Sequence, residues 1–247
     1  GEKLSRKQAN ELSGIDSIYF IDDFKDILSS IASQVDTFYI NKNEHYRANS
    51  PVETREDRFI SWLLKKYPAH NVAKSNPILQ RQRSIKHPDE IDQIKKACDI
   101  TRKGFNRVLE FIKPNVWEYE IEAEFIHEFI NSSSKGFAYS PIIASGNDNN
   151  VLHYIKNNKQ CKSGELILMD VGAEYGNYSS DMTRTVPVSG KYSKRQKEIY
   201  NAVLRVKNEA TKLLTVGNNW KIFHEQVGEI MTKELLAVGL IDKNDIK

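Results

Sequence analysis

The stretch Leu166–Val188, LILMDVGAEYGNYSSDMTRTVPV, constrains the fold more than any other part of this 247-residue chain. Two strand-like runs flank EYGN, a turn signal in which Gly176 and Asn177 both tolerate positive φ. The pattern predicts an antiparallel hairpin. Asp170 and Asp181 nevertheless interrupt its strands. Aspartate is depleted in strands, and like charges facing each other across a ladder destabilise it. With a symmetric loop centred between Tyr175 and Gly176, Asp170 falls opposite Asp181, Leu168 opposite Thr183 and Gly172 opposite Ser179, all on one face. That register sets the two carboxylates roughly 5 Å apart, Cβ to Cβ.

Facing carboxylates repel unless a proton or a cation lies between them. Three arrangements resolve the conflict. The pair can share a proton as an acid/base dyad, it can be neutralised by Arg184 or a lysine, or it can hold metal, which hard oxygen ligands favour. Arg184 follows Asp181 by three residues on the same strand, so its side chain points to the opposite face. This weakens the ion-pair reading and leaves the other two open.

Around the hairpin, HPDEIDQIKKACDITRKGFNRVLEFIKP carries apolar residues at helical spacing from Ile91 to Phe111, with Pro88 suited to a first helical turn and Asp89 and Glu90 beside the positive helix end. The same periodicity places Cys98 in the core. A second helix is predicted from about Trp117 to Asn131, then the extended stretch AYSPIIASGNDNNVLHYI. Two closing helices follow, one capped by Ser193 and one ending near Gly239. Upstream, FKDILSSIASQ and REDRFISWLLKKY read as helices and DTFYINK as a buried strand. Strands beside helices without strict alternation predict an α+β region over residues 87–247, with a domain boundary near residue 86.

Composition closes off other classes. The chain has 36 basic and 33 acidic residues in a dispersed pattern, net +3, and no basic stripe interleaved with aromatics, so nucleic acid is not an expected partner. Two cysteines exclude a disulfide framework and a cysteine-rich zinc site. No apolar run reaches the roughly 18 residues that span a bilayer, and the opening GEKLSRKQAN lacks an apolar signal core. A cytoplasmic protein without a membrane partner is the expectation.

ASGNDNNVLHY, GELILMDVGAEYGNYSSDMTRTVPVSGKYSKRQKEIY and HPDEIDQIKKACDIT together resemble the pita-bread metallopeptidases (the creatinase/prolidase-like family), most closely the Xaa-Pro aminopeptidase subfamily. The resemblance is strongest from Tyr139 to Tyr200. It implies a fold in which residues 87–247 form the N-terminal half of a pita-bread catalytic domain, preceded in 1–86 by part of a creatinase-like α/β N-terminal domain. It also implies two divalent metal ions, usually Mn2+. Asp170 matches the aspartate that grips one ion through both oxygens, and Asp181 the aspartate that bridges both ions. His153, seventeen residues before Asp170, matches the histidine that lines the substrate pocket and acts in catalysis. Thr183, on the strand face of Asp181, is assigned a supporting role beside the ligands. The implied reaction releases the N-terminal residue from peptides with proline in second position, through a metal-activated water. A homo-oligomer is compatible with this assignment.

The family pattern needs three further ligands, one histidine and two glutamates. The only histidine after Asp181 is His224, on a predicted helix. HEQVGE there has Gly228 where the zinc-helix motif needs its second histidine, and HEFI at His127 fails likewise. The chain therefore reads as the middle of a longer protein, inactive by itself. Prolidase is the nearest alternative activity. A non-catalytic module binding a peptide or a histone is the alternative from another class, and retention of both aspartates argues against it.

Overall fold

A computed structural model of the chain describes residues 3–42 and 51–246; the opening Gly1-Glu2 of the polar start lies outside the described residues. The chain divides into two compact units, Gly1–Lys86 and His87–Lys247.

In the first unit, α1 (Arg6–Ser13), α2 (Phe24–Ala32), β1 (Thr37–Ile40), α3 (Arg55–Lys66), β2 (Asn71–Lys74) and α4 (Asn76–Ser84) follow in order. β1 and β2 pair in parallel, from Thr37 against Asn71 to Ile40 against Lys74. Parallel neighbours need a crossover, and α3 supplies it. Thr54 starts α3 through a reciprocal capping box with Asp57, which satisfies two orphan donors of the first turn. Thr54 Oγ1 and Thr54 N both donate to Asp57 Oδ2, at 2.8 and 3.1 Å, and hold that carboxyl below its ordinary pKa. Ala32, Ile60 and Leu63 are buried, and Phe38 stacks on His70 with centroids 4.8 Å apart.

The second unit begins with α5 (Pro88–Phe111), a 24-residue helix capped by His87 with Pro88 in its first turn. Glu90 Oε2 accepts from His87 N at 2.6 Å, and Glu90 Oε1 accepts from Tyr178 OH at 2.8 Å. One side chain thus closes the helix start and ties it to the hairpin tip. The buried stripe is Ala97, Ile100, Thr101, Gly104, Phe105 and Val108. Cys98, expected in the core, is exposed, whereas Cys161 is buried. At about 100° per residue, Cys98 sits roughly a quarter-turn from the middle of that stripe, just past its edge.

α6 (Glu118–Asn131) packs on α5 through Phe125 and Phe129, both fully buried; Phe125 meets Phe105 edge-on at 5.1 Å. Both helices cover one face of an antiparallel sheet of β3 (Ile142–Ser145), β4 (Leu166–Val171) and β7 (Met182–Pro187), in the order β3-β4-β7. Along β4, Ile167, Met169 and Val171 are 0 % exposed and join Phe105, Phe125 and Phe129 in one apolar cluster. Leu166, Leu168 and Asp170 alternate with them and are half-buried, so Asp170 lies on the face turned away from the helices. α7 (Lys194–Leu213) starts at Ser193, which with Gln196 forms a capping box, and packs with α8 (Trp220–Ala237). Arg205 bonds both oxygens of Glu234 across this pair, at 2.8 and 2.6 Å. The second unit is α+β, as its sequence pattern predicts.

The hairpin forms with a register different from the expected one. Asp170 pairs with Thr183 and Leu168 with Thr185, while β5 (Glu174–Tyr175) pairs with β6 (Tyr178–Ser179), Glu174 facing Ser179 and Tyr175 facing Tyr178. The centre therefore falls between Gly176 and Asn177, whose φ values are 59° and 66°. A two-residue loop of this hand needs positive φ at both central positions, and Gly176 and Asn177 fill those positions. The pairing slips by two residues relative to a centre one position earlier. Because the side-chain period is two, every residue keeps its face and changes its partner.

Candidate metal centre

Asp170 and Asp181 share the open face but stand diagonally rather than directly opposed. What brings their carboxylates together is Tyr139. Its hydroxyl lies 2.6 Å from Asp170 Oδ1 and 3.1 Å from Asp181 Oδ1. Two negatively charged groups thus converge on a single hydroxyl, which has one proton to offer them. Burial first, then the bond to Asp170 and the charges of both aspartates, raise the Tyr139 pKa far above the ordinary phenol value. The group stays protonated and donates.

Each of the three is placed from a different element. Asp170 is carried near the end of β4 by the alternation that buries Ile167, Met169 and Val171. Tyr139 lies in the segment before β3; Ala138 N donates to Gly172 O at 2.8 Å, and Phe137 bridges Ala173, which lays this segment along the hairpin. Asp181 is held from below. Its neighbour Ser180 is buried at 4 % exposure, with its Oγ 2.7 Å from Thr101 Oγ1 on α5. Ala173 N donates to both hydroxyls, at 2.8 and 3.0 Å, and Ser180 Oγ donates to Ala173 O. Together with the backbone bond from Ser180 N to Ala173 O at 3.0 Å, this buried polar knot joins the two hairpin halves and satisfies their backbone groups.

Thr183 is exposed and directly opposite Asp170, so it shares the face of both aspartates. Arg184 pairs across with the fully buried Met169, and its guanidinium donates to Thr183 O at 2.8 Å; no ion pair joins it to either aspartate among the described residues. His153 is exposed, in the left-handed backbone region at φ 53°, and no hydrogen bond or ion pair joins it to Asp170 or Asp181 among the described residues.

Tyr139, Thr101 and Ser180 carry no assignment in the sequence reading. Thr101 had a legible signal, a polar residue inside the apolar stripe of α5. Tyr139 had none without the pairing of segments about thirty residues apart.

The two carboxylates are chemically suited to a divalent cation, hard oxygen groups that converge on one hydroxyl. Among the described residues, no cluster of three or more histidine, cysteine, aspartate or glutamate side chains forms. The two carboxylates that meet on this face are Asp170 and Asp181.

Residues 92–244, more than half the chain, match the model of metallopeptidase family M24. The chain belongs to that family. Relatives agree: it is 31% identical to the Xaa-Pro aminopeptidase of Haemophilus influenzae over 249 aligned residues, covering 100% of this chain and 55% of the relative. It is 29% identical to the Xaa-Pro aminopeptidase of Escherichia coli, covering 56% of that protein. The chain thus spans about half the length of the curated relatives it matches. Among solved structures, a putative aminopeptidase P from Bacillus anthracis superposes at TM-score 0.92 with 31% identity, over 98% of this chain and 58% of that one. Zn-substituted E. coli aminopeptidase P in complex with product superposes at 0.86 with 28% identity, covering 98% and 55%. The family M24 fold here is the pita-bread architecture of those aminopeptidase P structures.

Proposed function

We propose that the protein is a metal-dependent aminopeptidase releasing the N-terminal residue from Xaa-Pro peptides, with residues 87–247 as the first half of its catalytic domain and 1–86 as part of the domain before it. The observation that carries this reading is the convergence of Asp170 and Asp181 on one hydroxyl, with no ion pair to either among the described residues. Membership of family M24 and the names of the relatives favour the peptidase over the other uses of paired carboxylates.

In this reading Asp170 and Asp181 hold part of a dinuclear centre, with Mn2+ as the expected metal. When bound, the divalent ions supply Lewis-acid polarisation of the scissile carbonyl and a lowered water pKa. Tyr139, protonated across the working pH range, donates to the carboxylates and fixes their mutual orientation. Thr183 supports Asp170 across the ladder. His153 lines the substrate pocket.

The test is Asp170→Asn in the intact enzyme. A neutral amide keeps the shape of the side chain and loses a charge and an acceptor, so turnover of Xaa-Pro peptides should fall by more than the roughly 10–100-fold that losing a ligand's supporting partner costs, while the thermal transition of the metal-free protein stays in place. A variant that keeps near-wild-type turnover refutes the assignment.

A further inference from the structure

Glu118, the first residue of α6, is a carboxylate at 0 % exposure. Its Oε1 accepts from Ser145 N and Ser145 Oγ, both at 2.8 Å. Its Oε2 accepts from Tyr154 OH at 2.8 Å and from Lys159 N at 3.0 Å. A carboxylate has about four acceptor sites, and all of them are filled. Taking an ionised group out of water is costly unless every lone pair is met.

The donors share a location. Ser145 ends β3, Lys159 precedes the bridge between Trp117 and Gln160, and Tyr154 sits between them. Glu118 N donates back to Lys159 O at 3.0 Å. One helical turn on, Glu122 accepts from the Asn157 side chain. The segment from 145 to 159 is thus gripped by one face of α6, and its middle carries His153. Tyr154 is buried at 5 % exposure while Leu152 and Ile155 are 85% and 71% exposed, so the one inward anchor of the loop tip adjoins His153. The left-handed backbone of His153 is unfavourable for a residue with a Cβ; such conformations persist where the surroundings over-determine them.

We propose that Glu118 is a positioning residue, whose saturated carboxylate fixes the 145–159 segment and thereby holds His153 in the one backbone conformation in which it meets substrate. This rests on the reading of His153 as a substrate-pocket residue.

The test is a double-mutant cycle in the intact enzyme, assayed on an Xaa-Pro peptide. In Glu118→Gln the amide must turn its NH2 toward either Ser145 N or Lys159 N, both fixed donors, so one side of the grip opens. kcat/KM should fall about 10–100-fold. In a His153→Ala background the same substitution should cost less than about threefold, because the group it positions is gone. Equal losses in both backgrounds overturn the proposal, since a carboxylate that only stabilises the fold acts regardless of His153. If His153→Ala alone leaves kcat/KM unchanged, the substrate role of His153 fails, and the positioning role with it; a loss there that adds independently to that of Glu118→Gln refutes only the positioning role. Should Glu118→Gln not fold, Tyr154→Phe removes one donor, keeps the ring, and should show a smaller loss with the same dependence on His153. Hydrogen exchange in the same enzymes should show faster exchange at Ser145 or at Lys159 in Glu118→Gln, whichever faces the NH2; unchanged protection at both refutes the grip.

Discussion

A Cβ built on Gly172 would lie 1.8 Å from the carbonyl oxygen of Ser180 and 2.6 Å from its carbon. Backbone on both sides of the hairpin therefore touches at the level where Asp170 and Asp181 must converge, and no flexible side chain is present to yield. The contact also sets the knot beneath Asp181, because Ser180 Oγ can reach Ala173 and Thr101 only when the two strands approach this closely. Gly172→Ala should separate the strands, cost at least about 1–3 kcal/mol as an overpacking substitution, and loosen the hold of Tyr139 on the aspartates. Urea unfolding of the 247-residue chain checks the first effect: an unchanged midpoint and slope would mean that the close approach is not a constraint in solution.

Between elements, Tyr192 ties the turn before α7 to β7. Its hydroxyl donates to Thr185 O at 2.8 Å, and its ring lies 5.1 Å from that of Tyr200. Burial first, and then Tyr200, push its pKa from 10.0 up to about 12. The folded state thus binds the phenol proton more tightly than the unfolded chain does. The stability this contributes is fully present below pH 10 and is lost as pH rises toward 12. Tyr192→Phe, which has no proton to lose, should flatten the alkaline fall of the melting temperature across that window, and an identical alkaline limb in both proteins would exclude Tyr192 as its source. Legibility in the sequence follows the same division between local and non-local causes. α5 announced itself through Pro88, Glu90 and a 3.6-residue stripe, and the hairpin through the EYGN turn between two strand-like runs. The register did not, because it depends on which two turn residues take positive φ, and a shift of the centre by one position leaves the alternation intact. Cys98 was misjudged where a smooth stripe has a sharp edge. Tyr139 and Glu118 act across long sequence separations, which periodicity cannot see.

At the scale of the molecule, the chain presents two metal-suited carboxylates and spans about half of the relatives it matches. Affinity of carboxylate sites for hard divalent ions rises with the number of charged ligands and the rigidity of the site. Here the Tyr139 hydroxyl holds both carboxylates and a buried polar knot fixes the backbone beside Asp181, but the site's charge count among the described residues is two. Manganese should therefore bind this 247-residue chain weakly, with a Kd of about 0.1–1 mM, by analogy with ligand-poor oxygen sites. Binding to the folded state alone stabilises it by RT ln(1 + [L]/Kd), so 1 mM Mn2+ should add only about 0.4–1.4 kcal/mol. Asp170→Asn should abolish that increment, while Thr183→Val should leave most of it. Isothermal titration decides the matter: two ions per chain at micromolar affinity or tighter would mean that ligands beyond Asp170 and Asp181 come together in this chain, and the division of the metal centre argued from their geometry would be wrong.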